Sequence, residues 1–261
     1  MYFNNIHIIY YLIVMALGLF VGNFIAWCNF CYNNERKIFS KDFFRKEILE
    51  VKYTYILMIA ISILYAGLLY SLGWEKDNNF ILLIFKNLNI LKFLLIIPIL
   101  VLCFLIDLKK RIIPNRLNLL ILEIGLFFTF ILGLYNINVA KDMILGCIVG
   151  GAVFGLITLL GNIIAGKETM GMGDLKFIAA LGLVFGISNI LQIALLSFII
   201  AAIVSIVVLI IRIIKKKEDR YISFGPFIVI SALVCLLAPQ DIILNTFLGL
   251  CTIISKLLLN K

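Results

Sequence analysis

Mostly apolar runs of about 18 or more residues recur along nearly the whole of this 261-residue chain. An α-helix of about 20 such residues spans the hydrocarbon core of a bilayer. With 64% hydrophobic and 14% charged residues, and a mean hydropathy of +1.15, the chain is more apolar than soluble domains, which have about 45–50% apolar residues. The runs therefore predict an all-α, polytopic membrane helix bundle.

We expect about eight transmembrane helices. The apolar runs place them at 6–27, 53–73, 88–106, 117–135, 143–164, 175–189, 190–213 and 224–238. A further stretch, 242–255, has about the minimum length of a span, and we leave it open as an interfacial helix or a ninth crossing. We divide the chain into N-terminal helices with a short basic loop, 1–73, and a membrane-embedded core, 74–261.

The net charge of +9 is concentrated between the apolar runs, in the segments 28–52, 107–116 and 212–220. Basic residues near helix ends are retained on the cytoplasmic side of a membrane. We therefore predict a multi-pass protein of the cell membrane with these three segments in the cytoplasm, and counting helices adds the loop 166–174. We expect the lipid bilayer as a partner of this protein. We do not expect it to bind nucleic acid.

Two aspartates lie at ends of apolar runs, in the segments predicted to be cytoplasmic. Asp107 follows the third run, and Asp174 precedes the sixth. Two carboxyl groups held close together share one proton, so that one can activate water while the other polarises a carbonyl group. Asp107 alone would also fit a solvated residue beside Lys109 and Lys110.

Glycines flank Met172 just before Asp174. We expect Gly171 and Gly173 to allow backbone conformations closed to other residues and to let an extended substrate approach. A plain turn is the alternative.

Three segments of the chain resemble the type IV prepilin peptidases, a family of Gly-x-Gly-Asp membrane aspartyl proteases. In chain order they are Asp107-Leu108-Lys109-Lys110-Arg111-Ile112-Ile113-Pro114-Asn115, Gly166-Lys167-Glu168-Thr169-Met170-Gly171-Met172-Gly173-Asp174-Leu175-Lys176 and Ser223-Phe224-Gly225-Pro226-Phe227.

The resemblance implies an aspartic endopeptidase that removes the leader of type IV prepilin or pseudopilin precursors at the cytoplasmic membrane face. It implies that Asp107 and Asp174 are the catalytic pair and that no cofactor is needed for proteolysis. The motif positions expected to support catalysis or substrate binding are Gly171, Gly173, Lys176, Pro114 and Glu168.

Many members of that family also carry two Cys-x-x-Cys pairs that bind zinc, and transfer a methyl group from S-adenosylmethionine. This chain has one such pair, Cys28 and Cys31. A structural zinc site needs four ligands, so we expect no metal here. The missing pair likewise argues against S-adenosylmethionine and N-methyltransferase activity.

Glu123 lies about two turns into the fourth apolar run, where a carboxylate should face the interior of the bundle. It could tune the aspartate pair or bond to a neighbouring helix. The alternative function is a cation- or proton-coupled transporter that uses Asp107, Glu123 and Asp174 as its path. Such proteins carry broken helices in two matching halves, and the sequence has no such symmetry.

Overall fold

The structure, a computed structural model, describes residues 2–3, 6–34, 53–72, 80–166, 170–215 and 223–238. Within them, two short strands, β1 (Tyr2–Phe3) and β2 (Ile6–His7), pair antiparallel ahead of the first helix. The helices are α1 (Ile8–Asn33), α2 (Thr54–Leu72), α3 (Phe80–Lys110), α4 (Asn115–Tyr135), α5 (Ile137–Ala165), α6 (Met172–Phe185), α7 (Ile187–Lys215) and α8 (Gly225–Leu237). This confirms the predicted all-α class.

Six of these eight helices are long and apolar enough to cross a membrane, whereas α6 and α8 are not among them. The two shorter helices have 14 and 13 residues, or about 20 Å of helical rise against a hydrocarbon core of about 30 Å. About eight transmembrane helices were expected, and the ranges 175–189 and 224–238 were already the shortest of them. In the part of the chain that the structure describes, there are six such spans and two short helices.

Several helix boundaries differ from those predicted, because single residues end or begin helices within the apolar runs. Gly186 follows the last residue of α6 with a positive φ of 79°, which favours glycine, so α6 ends at Phe185 and not at the predicted residue 189. Asn136 is the one non-helical residue between α4 and α5. Its side chain caps α5 by accepting a hydrogen bond of 3.0 Å from the Asn138 backbone amide. As a result α5 begins at Ile137 and not at 143. At the other end of the chain α1 continues to Asn33, beyond the predicted 27.

The short helices form the interior of the bundle. Helix α6 packs among α4, α5 and α7, and α8 packs among α2, α3 and α7. Most residues of α8 and the C-terminal half of α6 are buried, and one hydrophobic cluster draws residues from all eight helices. The predicted division at 73/74 stays a prediction, and the stretch 242–255 lies outside the described residues.

The contact between α5 and α6 depends on paired glycines, since a side chain at Gly146 would meet the backbone of Gly182 and lie 2.6 Å from the carbonyl carbon of Gly186. We expect Gly146→Ala to cost about 1–3 kcal/mol in stability through overpacking. Gly155→Ala is the matched control, because its methyl group would meet only the Leu175 Cδ1 atom at 3.7 Å. Thermal unfolding in detergent should show a lower midpoint for the first variant alone, and equal midpoints would contradict the assignment.

Candidate active site

Asp107 lies in the last turn of α3 and is 1% exposed. Its Oδ2 atom accepts a hydrogen bond of 2.5 Å from the Ser223 hydroxyl group, and its carboxyl group also accepts one from the Gly225 backbone amide. Gly225 begins α8, so the carboxyl group lies at the positive end of that helix dipole. Burial of the carboxyl group disfavours a negative charge at this position, and the two donors and the dipole oppose that effect.

Only glycine fits at the start of α8. A Cβ atom on Gly225 would overlap the Asp107 Oδ2 atom and lie 2.9 Å from the Ile113 Cδ1 atom. The missing side chain is therefore what allows the Asp107 carboxyl group to reach the Gly225 amide.

Asp174 lies in the first turn of α6, where it is half-buried. Burial, and then repulsion from Asp107, raise the pKa of Asp174 from 3.8 to about 7. The second effect means that the two carboxyl groups lie within electrostatic reach of each other. A carboxyl group with such a pKa keeps its proton at neutral pH much of the time.

The turn between α3 and α4 packs against the first residues of both α6 and α8. Ile113 in this turn is buried and packs close to Gly225 on one side. On the other side, the Ile113 carbonyl oxygen would lie 3.5 Å from a Cβ atom on Gly173. The Asn118 side chain, 5% exposed, donates a hydrogen bond of 3.1 Å to the Gly173 carbonyl group. Asp107 and Asp174 are thus brought to the same end of the bundle.

The predicted reason for the two motif glycines is wrong in part. Neither Gly171 nor Gly173 has a positive φ, and Gly171 lies in extended backbone at φ −70° and ψ 139°. A side chain at Gly171 would meet nothing closer than the Asp174 Oδ2 atom at 3.9 Å. The backbone conformation therefore does not require glycine there. The expectation that a substrate approaches this exposed edge stays a prediction.

The other predicted motif residues lie around this end of the bundle. Pro114 is the N-cap of α4, and Lys176 is exposed one half-turn beyond Asp174. Glu168 lies outside the described residues. Cys28 and Cys31 are buried inside α1, and the described residues contain no cluster of three metal-ligating side chains.

Glu123 does not face the interior, which corrects the expectation for it. It is exposed on α4, because it follows the buried Ile121 by two residues and so lies about 200° round the helix. Its carboxylate is directed away from the packed face of α4. The transporter alternative requires that Asp107, Glu123 and Asp174 line one path. Because Glu123 faces outward, they do not.

Two contributors were missed from the sequence. Ser223 belongs to the third segment that resembles the family, but no role was predicted for it. Asn118 was not identified from the sequence. A polar residue inside an apolar run was a usable signal for Asn118, since such a group must find a hydrogen-bond partner in the membrane.

These features define a polytopic membrane protein with two aspartates at one end of its helix bundle. Residues 94–206 match the sequence model of the Type IV leader peptidase family. The matched part of the chain contains both aspartates, and the match confirms the resemblance to that family. Ser223 and the cysteine pair lie outside it.

Relatives named prepilin leader peptidase/N-methyltransferase occur in several bacteria. The protein of Aeromonas hydrophila is 32% identical over 149 residues, covering 57% of this chain and 50% of the relative. That of Legionella pneumophila is 34% identical over 164 residues, covering 62% and 55%. The chain thus spans about half the length of the curated relatives it matches. No solved structure matches it.

Proposed function

We propose that this chain is an aspartic endopeptidase that removes the leader of type IV prepilin-like precursors. The observation that carries the proposal is the placement of Asp107 and Asp174 at one end of the bundle, inside the segment that matches the leader peptidase family. Multi-pass membrane helices support a membrane-embedded substrate. The names of the relatives supply the substrate class.

The surroundings of the two carboxyl groups support different roles for them. Asp107 accepts hydrogen bonds from Ser223 and Gly225, and such donors stabilise a carboxylate. Asp174, with its pKa near 7, is the group that carries the shared proton. We assign Asp107 as the general base and Asp174 as the general acid.

In this reaction Asp107 removes a proton from water while the water oxygen bonds to the carbonyl carbon of the scissile peptide. Asp174 donates its proton to the carbonyl oxygen, which gives a neutral tetrahedral diol. The carbon–nitrogen bond then breaks as Asp107 returns its proton to the leaving amine, and one diol hydroxyl group returns a proton to Asp174. The products are a carboxylic acid and an amine, and both aspartates recover their starting states. The reaction requires no cofactor.

The cytoplasmic location of the site is part of the proposal. Four basic residues, Lys109, Lys110, Arg111 and Arg116, lie near Asp107 at the same end of the bundle. Basic residues next to membrane helices are retained in the cytoplasm. We therefore infer that the precursor is cleaved on that side, where its leader meets its hydrophobic helix.

The test is to co-express the chain with a type IV pilin precursor in a bacterium that lacks its own prepilin peptidase. Leader removal should appear as a gel shift, with a new N-terminus at the start of the hydrophobic helix. A variant with both Asp107→Asn and Asp174→Asn is the control. An unprocessed precursor beside stably inserted wild-type chain would overturn the proposal. Labelled S-adenosylmethionine in the same cells should leave the mature pilin unlabelled, since we propose the peptidase activity alone.

Leader removal is expected to decline as the pH rises through about 7, because burial raises the pKa of Asp174 to that value. Below this pH Asp174 holds its proton and can act as the acid. Above it the proton is lost, and kcat should fall about tenfold per pH unit. The measurement is kcat against pH with purified protein in lipid vesicles. A kcat that stays constant to about pH 9 would contradict the assigned role of Asp174.

A further inference from the structure

Lys92 is a buried cation at the end of the bundle opposite to Asp107. It lies in α3 and is 5% exposed. Its ammonium group donates a hydrogen bond of 2.8 Å to the Val184 carbonyl group and lies 4.6 Å from the centre of the Phe93 ring. An ammonium group inside a membrane protein is costly and persists where it has a task. The proposed reaction does not use it.

The Val184 carbonyl group belongs to the last turn of α6, where carbonyl groups have no partner within the helix. The Gly186 amide donates to the Gly182 carbonyl group at 2.9 Å, and the Asn189 side chain donates to that of Phe185 at 3.0 Å. Lys92 therefore satisfies a remaining carbonyl group from a different helix. Its positive charge also complements the negative end of the α6 dipole.

Asp142 holds the same turn from the other side. It lies on α5, packs against Gly186, and accepts a hydrogen bond of 3.4 Å from the Ile187 amide at the start of α7. Gly186 has φ 79° and no space for a side chain. Asp142 also attracts the Lys92 charge. The positive charge of Lys92 thus lies at the negative end of the α6 dipole. The negative charge of Asp142 lies at the positive end of the α7 dipole.

The same two helices carry the aspartates of the candidate site. Lys92 and Asp107 are both on α3, about 22 Å apart by helical rise, and Val184 and Asp174 are both on α6, about 15 Å apart. The Phe93 and Phe185 rings, with centroids 5.3 Å apart, add a second contact between these helices at the Lys92 end. A displacement of α6 at this end would be carried along a short, stiff helix to Asp174.

We propose that Lys92, together with Asp142, is a positioning residue that fixes α6 against α3 and thereby sets the placement of Asp174 beside Asp107. This inference rests on the proposed function only for its effect on catalysis. The placement itself can be measured without any cleavage.

A cysteine pair at positions 113 and 173 reports the placement directly. The Ile113 Cβ atom lies 3.7 Å from an ideal Cβ atom at Gly173, within the range of about 3.5–4.5 Å found in disulfides. The pair is introduced after the six native cysteines have been replaced by alanine. Oxidation in membrane vesicles should cross-link it rapidly. Lys92→Met should slow the cross-linking at least about tenfold, and Lys92→Arg should restore most of the rate, because arginine retains the charge and the donor groups.

Two further variants keep the test decisive. Asp142→Asn leaves Lys92 in place and should slow the cross-linking less than Lys92→Met does. Lys141→Met removes an exposed charge next to Asp142 and should change nothing. If Lys92→Met does not accumulate in the membrane, Asp142→Asn decides alone. Cross-linking at the wild-type rate in Lys92→Met, or in Asp142→Asn where it decides alone, would overturn the proposal.

The catalytic consequence is measured with the native cysteines and glycine in place. Lys92→Met should lower kcat at least about tenfold with KM within about twofold, because the placement of the acid changes and the exposed edge at Gly171 does not. Lys92→Arg should recover kcat. A wild-type chain without peptidase activity would refute the proposed function, and the cross-linking rates would still decide the role of Lys92. A changed KM with unchanged kcat would refute the positioning role.

Discussion

Replacing Asp174 with asparagine should lower the rate of leader removal at least about 10³-fold, within the range of about 10²–10⁴ that general acid–base catalysis contributes. Asparagine has nearly the same shape but cannot donate a proton to the scissile carbonyl group. Asp107→Asn should cause a loss of similar size, since asparagine cannot accept a proton from water. Initial rates with purified protein and a precursor in lipid vesicles are the measurement.

The double variant should be hardly slower than either single one, because residues that act as a unit do not contribute additively. Glu123→Gln is the matched control, since it removes an acidic residue on the exposed face of α4 and should leave the rate unchanged. A single variant that keeps more than about a tenth of the wild-type rate would contradict the assigned pair.

Gly225→Ala should lower the rate of leader removal at least about 100-fold, because a displacement of about 1 Å at a catalytic group can have that effect. The new methyl group would overlap the Asp107 Oδ2 atom and would lie 2.9 Å from the Ile113 Cδ1 atom. Asp107 must then move away from the Gly225 amide. We also expect a loss of stability of about 1–3 kcal/mol, which thermal unfolding in detergent would measure.

A second substitution identifies which of the two overlaps matters. Ile113→Val removes the Cδ1 atom and so relieves one overlap, while that with Asp107 remains. We expect the variant Gly225→Ala with Ile113→Val to stay inactive. Recovery of activity in it would mean that packing against Ile113, and not the position of Asp107, caused the loss. Gly155→Ala, which has space for its methyl group, should behave as wild type.

The helical character of the chain and the order of its elements could be predicted from the sequence, because each apolar run is long enough to form a helix by itself. Boundaries were harder to predict where one residue ends a helix inside a continuous apolar run, as Gly186 does between α6 and α7. The end of α6 at Phe185 follows from that one glycine. A run of apolar residues gives no signal for where one helix stops and the next begins unless such residues are recognised.

The candidate site was predicted in part. Asp107 and Asp174 were found because each stands at the end of an apolar run next to a motif. The hydrogen bond between Ser223 and Asp107 joins residues 116 positions apart, and that between Asn118 and Gly173 joins residues 55 apart. Neither pairing has a local signature. Lys92, which lies inside an apolar run, was also not identified.

The sequence by itself determined that this chain is a membrane helix bundle with two aspartates at helix ends and the motifs of the leader peptidase family. Only the tertiary structure decided which side chains surround each aspartate, that Glu123 faces outward, and that Lys92 and Asp142 hold the far end of α6. The physical reason is that these helices are apolar on nearly every face, so the sequence does not specify their rotation about the helix axis. That rotation is set by packing between helices, including the close approach of Gly146 to Gly182 and of Gly225 to Asp107.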